Sequence, residues 1–192
     1  MESHIRTVCK QSYYQLRNIA SIRRYLTEPA VKTLVQACVI SRIDYANGLL
    51  YGVSQKATSR LQRVQNMDAR VITKTKRTCH ITPILMELHW LPVTWRIQYK
   101  ILIMTFKALH GLAPSYISEL IHERQQARSL RSSGELYLAP PKSRLRSYGD
   151  RTFQFAAATE WNALPKFLRD CQTFTVFKKH LKTHLFRIAF SI

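Results

Sequence analysis

Five basic residues recur at helical spacing in one segment of the chain, and phosphate binding is the chemistry that such a group could perform. They are separated by three, seven, four and three positions: Arg60, Arg63, Arg70, Lys74 and Arg77. At 100° per residue, a helix would gather them within about a quarter of its circumference. The segment 54–80 holds seven Lys/Arg and one acid, Asp68, so it lacks the alternating i,i+4 ion pairs of a solvated face. A phosphate-facing strip, which includes Lys76, is favoured over the alternative of an ordinary solvated cationic face.

The charge of the whole chain also indicates an anionic partner. There are 30 Lys+Arg against 11 Asp+Glu, which gives a formal net charge of +19. Such an imbalance makes the free protein repel itself, so a polyanionic partner is expected. Nucleic acid is the first candidate, as RNA or an RNA/DNA template–primer, and an anionic membrane surface is the second. No small-molecule substrate is indicated, and the oligomeric state is left open.

Two further groups of basic residues are candidates of second rank. Arg96 and Lys100 lie four positions apart on a predicted helix and would share one edge of it. Lys142, Arg144 and Arg146 lie in a polar, basic segment, 122–150, that also contains two adjacent prolines. That segment is equally consistent with a surface loop and with a binding loop.

Motifs of catalysis and of metal binding are missing from the sequence. There is no G-x-S-x-G, no glycine-rich phosphate loop and no H-E-x-x-H, and the 11 acidic residues are spread out. The four cysteines form no C-x-x-C, which argues against a zinc site and against a disulfide scaffold. We therefore predict no catalytic residue, no metal site and no cofactor. The polar start and the short apolar runs predict an intracellular protein, cytoplasmic or nuclear, without a transmembrane helix.

Helices must position these cations, and the segment 94–110 predicts the central one. Its apolar residues cover most of a helical circumference, which is typical of a buried helix. Leu102 is expected in the core, whereas Arg96, Lys100 and Lys107 share one charged edge. The predicted fold is mainly α, a multi-helix bundle around a buried central helix at about 93–110, with a basic loop or small hairpin near 130–150.

Periodicity and capping residues predict further helices on both sides of the central one. Their approximate ranges are 3–26, 30–42, 55–76, 82–89, 152–163 and 173–189. On the 55–76 helix, a core-facing stripe is expected at Ala57, Leu61, Val64, Met67 and Val71. The segments 136–139 and 145–148 are candidates for short paired strands. The predicted domain boundaries are 1–53, 54–121 and 122–192.

Several consecutive blocks of the sequence resemble one region of a known protein family. They are LRNIASIRRYLTEPAVKTLVQACVISRIDYANGLLYG, LQRVQNMDARVITKTKR, HITPILMELHWLPVTWRIQYKILIMTFKALHGLAPSYI, SRLRSYGDRTFQFAAATEWNALP and TFTVFKKHLKTHLF. In this order they are similar to the thumb and post-palm region of reverse transcriptases from jockey-like, LINE-type non-LTR retrotransposons. The resemblance implies a thumb-like segment over 1–53 and a role in gripping template–primer or element RNA through phosphates.

The catalytic motif of that family is not among these blocks. The polymerase palm holds two metal ions with an aromatic-x-Asp-Asp motif, whereas this sequence has Asp44-Tyr45 in reversed order and no second carboxylate nearby. The resemblance therefore implies RNA-directed DNA polymerase activity for a parent protein and no catalytic residue in this chain.

Two other functions remain open from the sequence. One is a helical protein-interaction module whose charge is incidental, which predicts exposed apolar patches. The other is a peripheral membrane binder that uses the apolar face from Phe174 to Ile188, which predicts affinity for anionic vesicles.

Overall fold

The computed structural model describes residues 1–124, 136–141 and 149–192. Over these ranges the chain is mainly helical, and its only β-type pairing is an isolated antiparallel bridge between Glu123 and Leu138. The predicted mainly α fold is confirmed. The second predicted strand, 145–148, and most of the predicted basic loop lie outside the described residues. The chain divides into two compact units, which are described in turn.

The first unit consists of Met1–Asn47, Val53–Arg96 and Ala189–Ile192. Its helices are α1 Glu2–Ile22, α2 Glu28–Val35, α3 Ser41–Asp44, α4 Gln55–Thr73 and α5 Ile81–Glu87. Apolar residues recur at helical spacing on the long helices, which bury those faces against one another. Branched aliphatic side chains dominate the buried centre of the unit: Val31, Val35, Val39, Ile40, Val64 and Ile72.

Helices α1 and α4 run side by side in the same direction and make the most extensive packing among the described elements of this unit. Tyr13 of α1 lies close to Arg63 of α4. Just after α1, Arg23 donates from Nε to the Val71 carbonyl at 3.0 Å and from Nη2 to the Ile72 carbonyl at 2.8 Å. These bonds satisfy two carbonyls of the last turn of α4, which lack intrahelical partners.

A π-helical turn, Gln36–Ile40, joins α2 to α3 without a break in the helix. A π turn closes its hydrogen bonds over one more residue than an α turn does. Val39 and Ile40 are buried within it. The additional residue changes the position of the following residues around the helix axis. The π turn therefore determines the side of the helix on which Asp44, the last residue of α3, lies.

Helix α6, Val93–Leu109, is the helix predicted at the centre of the fold. The boundary between the two units falls within it, after Arg96. Leu102 and Phe106 are 1% and 0% exposed. Only two residues of the helix are exposed, Thr94 and Lys100. The predicted burial of this helix is therefore confirmed.

The charged edge of α6 is shorter than predicted. Lys107, which was expected to be exposed with Arg96 and Lys100, is half-buried. Its Nζ lies 4.8 Å from the centroid of the Phe174 ring. A lysine stem packs on apolar surface while its ammonium is attracted by the aromatic face, so Lys107 belongs to the packing of the second unit.

The second unit consists of Gly48–Gly52 and Ile97–Ile188. It contains most of α6, and the helices α7 Ser115–Ser118, α8 Phe153–Asn162, α9 Lys166–Arg169 and most of α10 Phe174–Phe190. Three aromatic rings pack together within its core. Phe177 stacks on Phe106 with a centroid separation of 4.3 Å, and its ring centroid lies 5.9 Å from that of Trp161.

The segment 136–141 is held against α8 by side-chain hydrogen bonds. Asn162 donates from Nδ2 to the Leu138 carbonyl and accepts at Oδ1 from the Leu138 N–H, both at 2.9 Å. Trp161 Nε1 donates to the Leu136 carbonyl at 3.1 Å. Two backbone hydrogen bonds of 2.8 Å link the segment to 122–124. The strand predicted at 136–139 is therefore reduced to this short pairing with 122–124.

Candidate nucleic-acid interface

Helix α4 places three of the predicted basic residues along its length. Arg63 is exposed, whereas Arg60 and Arg70 are half-buried. Arg70 donates from Nη2 to the Cys79 carbonyl at 3.0 Å, and its Nε is buried with no hydrogen-bond partner in the described part of the chain. Arg70 is therefore partly committed to the segment that follows α4, and Arg63 is the most open of the three.

The other three predicted residues of this strip lie beyond the end of the helix. Helix α4 ends at Thr73, and Lys74 adopts a left-handed conformation with a φ of 57°. Lys74, Lys76 and Arg77 are exposed on the turn that follows. The prediction of one helical edge that continues to Arg77 is therefore wrong after Thr73, because a left-handed residue at the C-cap turns the chain away from the helix axis.

The buried face of α4 is rotated relative to the predicted stripe. Met67 and Val71, which were expected in the core, are half-buried. The residues that α4 buries are Ala57, Leu61, Val64, Gln65, Asp68, Ala69 and Ile72. The predicted stripe has a mean spacing of about 3.5 residues, whereas an α-helix has 3.6 residues per turn. The buried face therefore shifts by one position in the second half of the helix, to Asp68 and Ile72.

Asp68 was expected to interrupt the basic surface, and the structure corrects this. It is 0% exposed, and neither carboxylate oxygen has a hydrogen-bond partner within the described ranges. Burial raises the pKa of Asp68 from 3.8 to about 8, and the positive charge of Arg96 opposes part of that rise. Asp68 is therefore mainly protonated at neutral pH and leaves the surface charge of α4 uncompensated.

The two candidates on α6 differ in how accessible they are to a ligand. Arg96 is half-buried and forms a two-pronged ion pair with Asp44, in which Nε donates to Oδ1 at 2.8 Å and Nη2 donates to Oδ2. A phosphate would have to compete with this carboxylate. Lys100 is exposed and belongs to the second unit. The remaining candidates lie outside the described residues: Lys142, Arg144 and Arg146.

Helix α1 carries a basic edge that the sequence-based predictions missed. Arg6, Lys10 and Arg17 stand at positions i, i+4 and i+11, and all three are exposed. At 100° per residue they lie within about 40° of one another. The same spacing predicted the charged edge of α6, so the sequence contains the signal that identifies this one.

Two grooves flank the basic edge of α1. The α1–α3 groove has a volume of about 560 Å³ and is lined by α1 and by Arg42 of α3. The α1–α4 groove has a volume of about 530 Å³ and is lined by α1, by Met67 and other residues of α4, and by Arg77 beyond its end. Lys10 and Arg17 line both grooves and separate one from the other.

The grooves concentrate positive charge without an internal counter-ion. None of the described residues that line them has a carboxylate, and five are cations: Arg6, Lys10, Arg17, Arg42 and Arg77. Positive charge from α4 also reaches α1. Burial raises the pKa of the Cys9 thiol, and Arg60 and Arg63 oppose that rise by favouring the thiolate. A surface with these properties attracts phosphate groups.

The described residues contain no cluster of three or more His, Cys, Asp or Glu that could hold a metal ion. No helix among them is long and apolar enough to cross a membrane. Comparison of the chain with protein-family models, with curated proteins and with solved structures found no match. The functional assignment therefore depends on the geometry of the grooves and on the sequence itself.

Proposed function

We propose that this chain binds nucleic acid through its phosphates, as a non-catalytic region of a retrotransposon RNA-directed DNA polymerase. Its role is to grip a template–primer or element RNA, while the polymerase chemistry belongs to another part of the parent protein. One observation carries the proposal: among the described residues, five cations and no carboxylate line the two grooves beside α1. The resemblance of the sequence to the thumb and post-palm region of LINE-type reverse transcriptases supports the same role. The proposal assigns the chain to the cytoplasm or nucleus, where such nucleic acids occur.

The arrangement suits contacts that do not read sequence. Lys10 and Arg17 lie between the two grooves, so a strand that crosses α1 meets cations on both sides. Arg63, Lys74 and Lys76 extend the exposed positive charge along α4 and beyond its end. Phosphate contacts supply affinity without base specificity. A polymerase region must move along its template, and contacts of this kind permit that movement.

The salt dependence of binding tests the proposal. Replacing Arg17 and Arg77 together by Gln removes one cation shared by both grooves and one from the α1–α4 groove. Each neutralised phosphate contributes about 0.9 to the slope of log K against log salt on a duplex and about 0.7 on a single strand. The double variant should therefore lower the slope by roughly one to two units and weaken binding similarly for unrelated sequences.

A charge-matched control separates a local site from general attraction. Lys178 and Lys179 are exposed on α10, and replacing both by Gln removes the same charge from the chain. We expect the control to retain most of the affinity. If the two double variants lose affinity equally, binding is diffuse electrostatics. If neither loses any, the proposed phosphate-binding role is wrong.

A protein-interaction module is the second candidate, because exposed apolar residues lie in α7 and on either side of it. Leu112, Tyr116 and Leu120 recur at intervals of four and are 58%, 68% and 42% exposed. Apolar patches on a surface are what a protein partner would cover. Weak, non-saturable binding of nucleic acid by the unaltered chain would make this the preferred function.

The face suggested for membrane binding is occupied in the folded chain. Phe177, Leu181 and Leu185 of α10 are buried, so most of the apolar side from Phe174 to Ile188 packs within the protein. A peripheral helix must expose its apolar face to enter a membrane surface. This observation leaves the membrane alternative without its main support.

A further inference from the structure

Tyr14 is an exposed aromatic residue within the α1–α3 groove. It is 56% exposed, and the same groove contains Arg6, Lys10, Arg17 and Arg42. Proteins bind single-stranded nucleic acid by combining a cationic groove with aromatic side chains, because each base stacks on a ring while its phosphates bind the cations. The residues around Tyr14 provide both parts of that arrangement.

Arg42 is already oriented at the edge of this groove. Its Nε donates to the Cys38 carbonyl at 3.1 Å, and its Nη1 donates to Gln11 Oε1 at 2.9 Å. Its Nη2 makes no hydrogen bond within the described ranges. Because two of the three guanidinium nitrogens are fixed by the fold, little side-chain entropy remains to be lost when Nη2 binds a phosphate oxygen.

The size of the groove favours a nucleotide over a double helix. Its volume of about 560 Å³ lies within the range of about 300–1,000 Å³ that is typical of small-molecule pockets. A duplex keeps its bases paired and stacked, so it offers no base face to this groove. An unpaired base exposes its π faces and can reach Tyr14.

We infer that the α1–α3 groove binds an unpaired nucleotide of a single strand, with the base stacked on Tyr14 and the adjacent phosphates on Lys10, Arg17 and Arg42. The inference rests on the proposed nucleic-acid binding and specifies its partner as single-stranded. Lys10 and Arg17 continue the phosphate path into the α1–α4 groove. The strand therefore crosses α1 rather than following α4.

Fluorescence anisotropy with a short labelled oligouridine strand and with a duplex of equal length tests this inference on the full chain. Tyr14→Leu removes the aromatic face and keeps an apolar side chain. It should lower affinity for the single strand by roughly fivefold to a hundredfold, because stacking on an aromatic residue contributes about 1–3 kcal/mol per base. Affinity for the duplex should stay within about twofold, and the salt slope should not change, because no cation is removed. Tyr14→Phe keeps the ring and should restore single-strand binding.

Tyr116 provides the matched control, since it is 68% exposed and does not line the groove. Tyr116→Leu should bind both probes as the unaltered chain does. A second probe needs no protein variant: a strand of the same length with abasic sites keeps every phosphate and removes the bases. The unaltered chain should bind it as weakly as Tyr14→Leu binds the intact strand, and Tyr14→Leu should show no further loss.

The outcomes for the inference and for the proposed function differ. If the abasic strand binds as tightly as the intact one, or Tyr14→Leu loses single-strand and duplex affinity equally, the stacking inference is overturned. The proposed function still stands in that case if the Arg17 and Arg77 double variant weakens binding. If the unaltered chain binds neither probe saturably, the proposed function fails, and the inference fails with it.

Discussion

Replacing Asp68 by Asn should stabilise the protein at alkaline pH and change its stability little in acid. Asp68 is 0% exposed, and neither carboxylate oxygen accepts a hydrogen bond from the described residues. Burial raises the pKa of this carboxyl to about 8, with Arg96 as a weaker opposing influence. Asparagine has nearly the same shape but cannot ionise, so it removes the cost of a buried negative charge and leaves the packing almost unchanged.

The direction of the effect follows from proton binding. Between the unfolded pKa near 3.8 and the folded pKa near 8, the folded chain holds a proton on Asp68 that the unfolded chain has lost. Stability from this group is therefore full below the unfolded pKa, declines as the pH rises, and is lost above the folded pKa. The difference is about four units, and each unit corresponds to about 1.4 kcal/mol, so the total reaches about 6 kcal/mol.

Urea unfolding, followed by circular dichroism, measures this prediction. The stability of Asp68→Asn minus that of the unaltered chain should be near zero at about pH 4 and should rise by about 1.4 kcal/mol per pH unit until about pH 8. Asp170 is exposed, so Asp170→Asn is a charge-matched control and should change stability by no more than about 0.5 kcal/mol. A stability difference that does not vary with pH would refute the reasoning.

Two further predictions concern packing in the second unit. Leu102→Ala should reduce the free energy of unfolding by roughly 2–5 kcal/mol, because it loses buried surface and leaves a cavity. Lys100→Ala, on the exposed side of the same helix, should change the free energy of unfolding by about 0.5 kcal/mol or less. Equal losses from the two variants in urea unfolding would mean that the orientation of α6 is wrong. Asn162→Ala should lower stability by about 2 kcal/mol or more, since it leaves both the N–H and the carbonyl of Leu138 without partners. Asn162→Asp retains the acceptor but places a second carboxylate oxygen against the Leu138 carbonyl, so its loss relative to the unaltered chain should grow as the pH rises and this carboxyl ionises; thermal melts that show the same loss at acid and neutral pH would contradict this account.

The long helices were predictable because their apolar patterns are strong. Helix α6 is apolar around most of its circumference, and its predicted range, about 93–110, agrees with Val93–Leu109. On the apolar face predicted from Phe174 to Ile188 of α10, Phe177, Leu181 and Leu185 are buried, whereas Ile188 is 47% exposed. In these helices the apolar content exceeds all competing signals, so the sequence determines the elements and most of their buried residues.

The candidate site was harder to predict, because the type of a charged residue does not show whether it is buried or exposed. A single acid among seven basic residues is expected on the surface, yet Asp68 is buried. Its burial depends on residues that are its neighbours only in the folded structure. The end of α4 was also missed, since Lys74 is an ordinary helix former that here takes the left-handed C-cap conformation, a position that usually favours glycine. The grooves require α1, α3 and α4 together, and no single helical pattern contains that arrangement.

Because of the π turn Gln36–Ile40, one ion pair depends on the number of residues in this turn. Compared with an uninterrupted α-helix, this turn accommodates one additional residue, so every later position is offset by about 100° around the helix axis. That offset selects Asp44 as the residue of α3 that pairs with Arg96. Substitutions that preserve the length of the turn leave this choice unchanged. An insertion or deletion in the turn would therefore disrupt the ion pair between Asp44 and Arg96 although neither residue is changed.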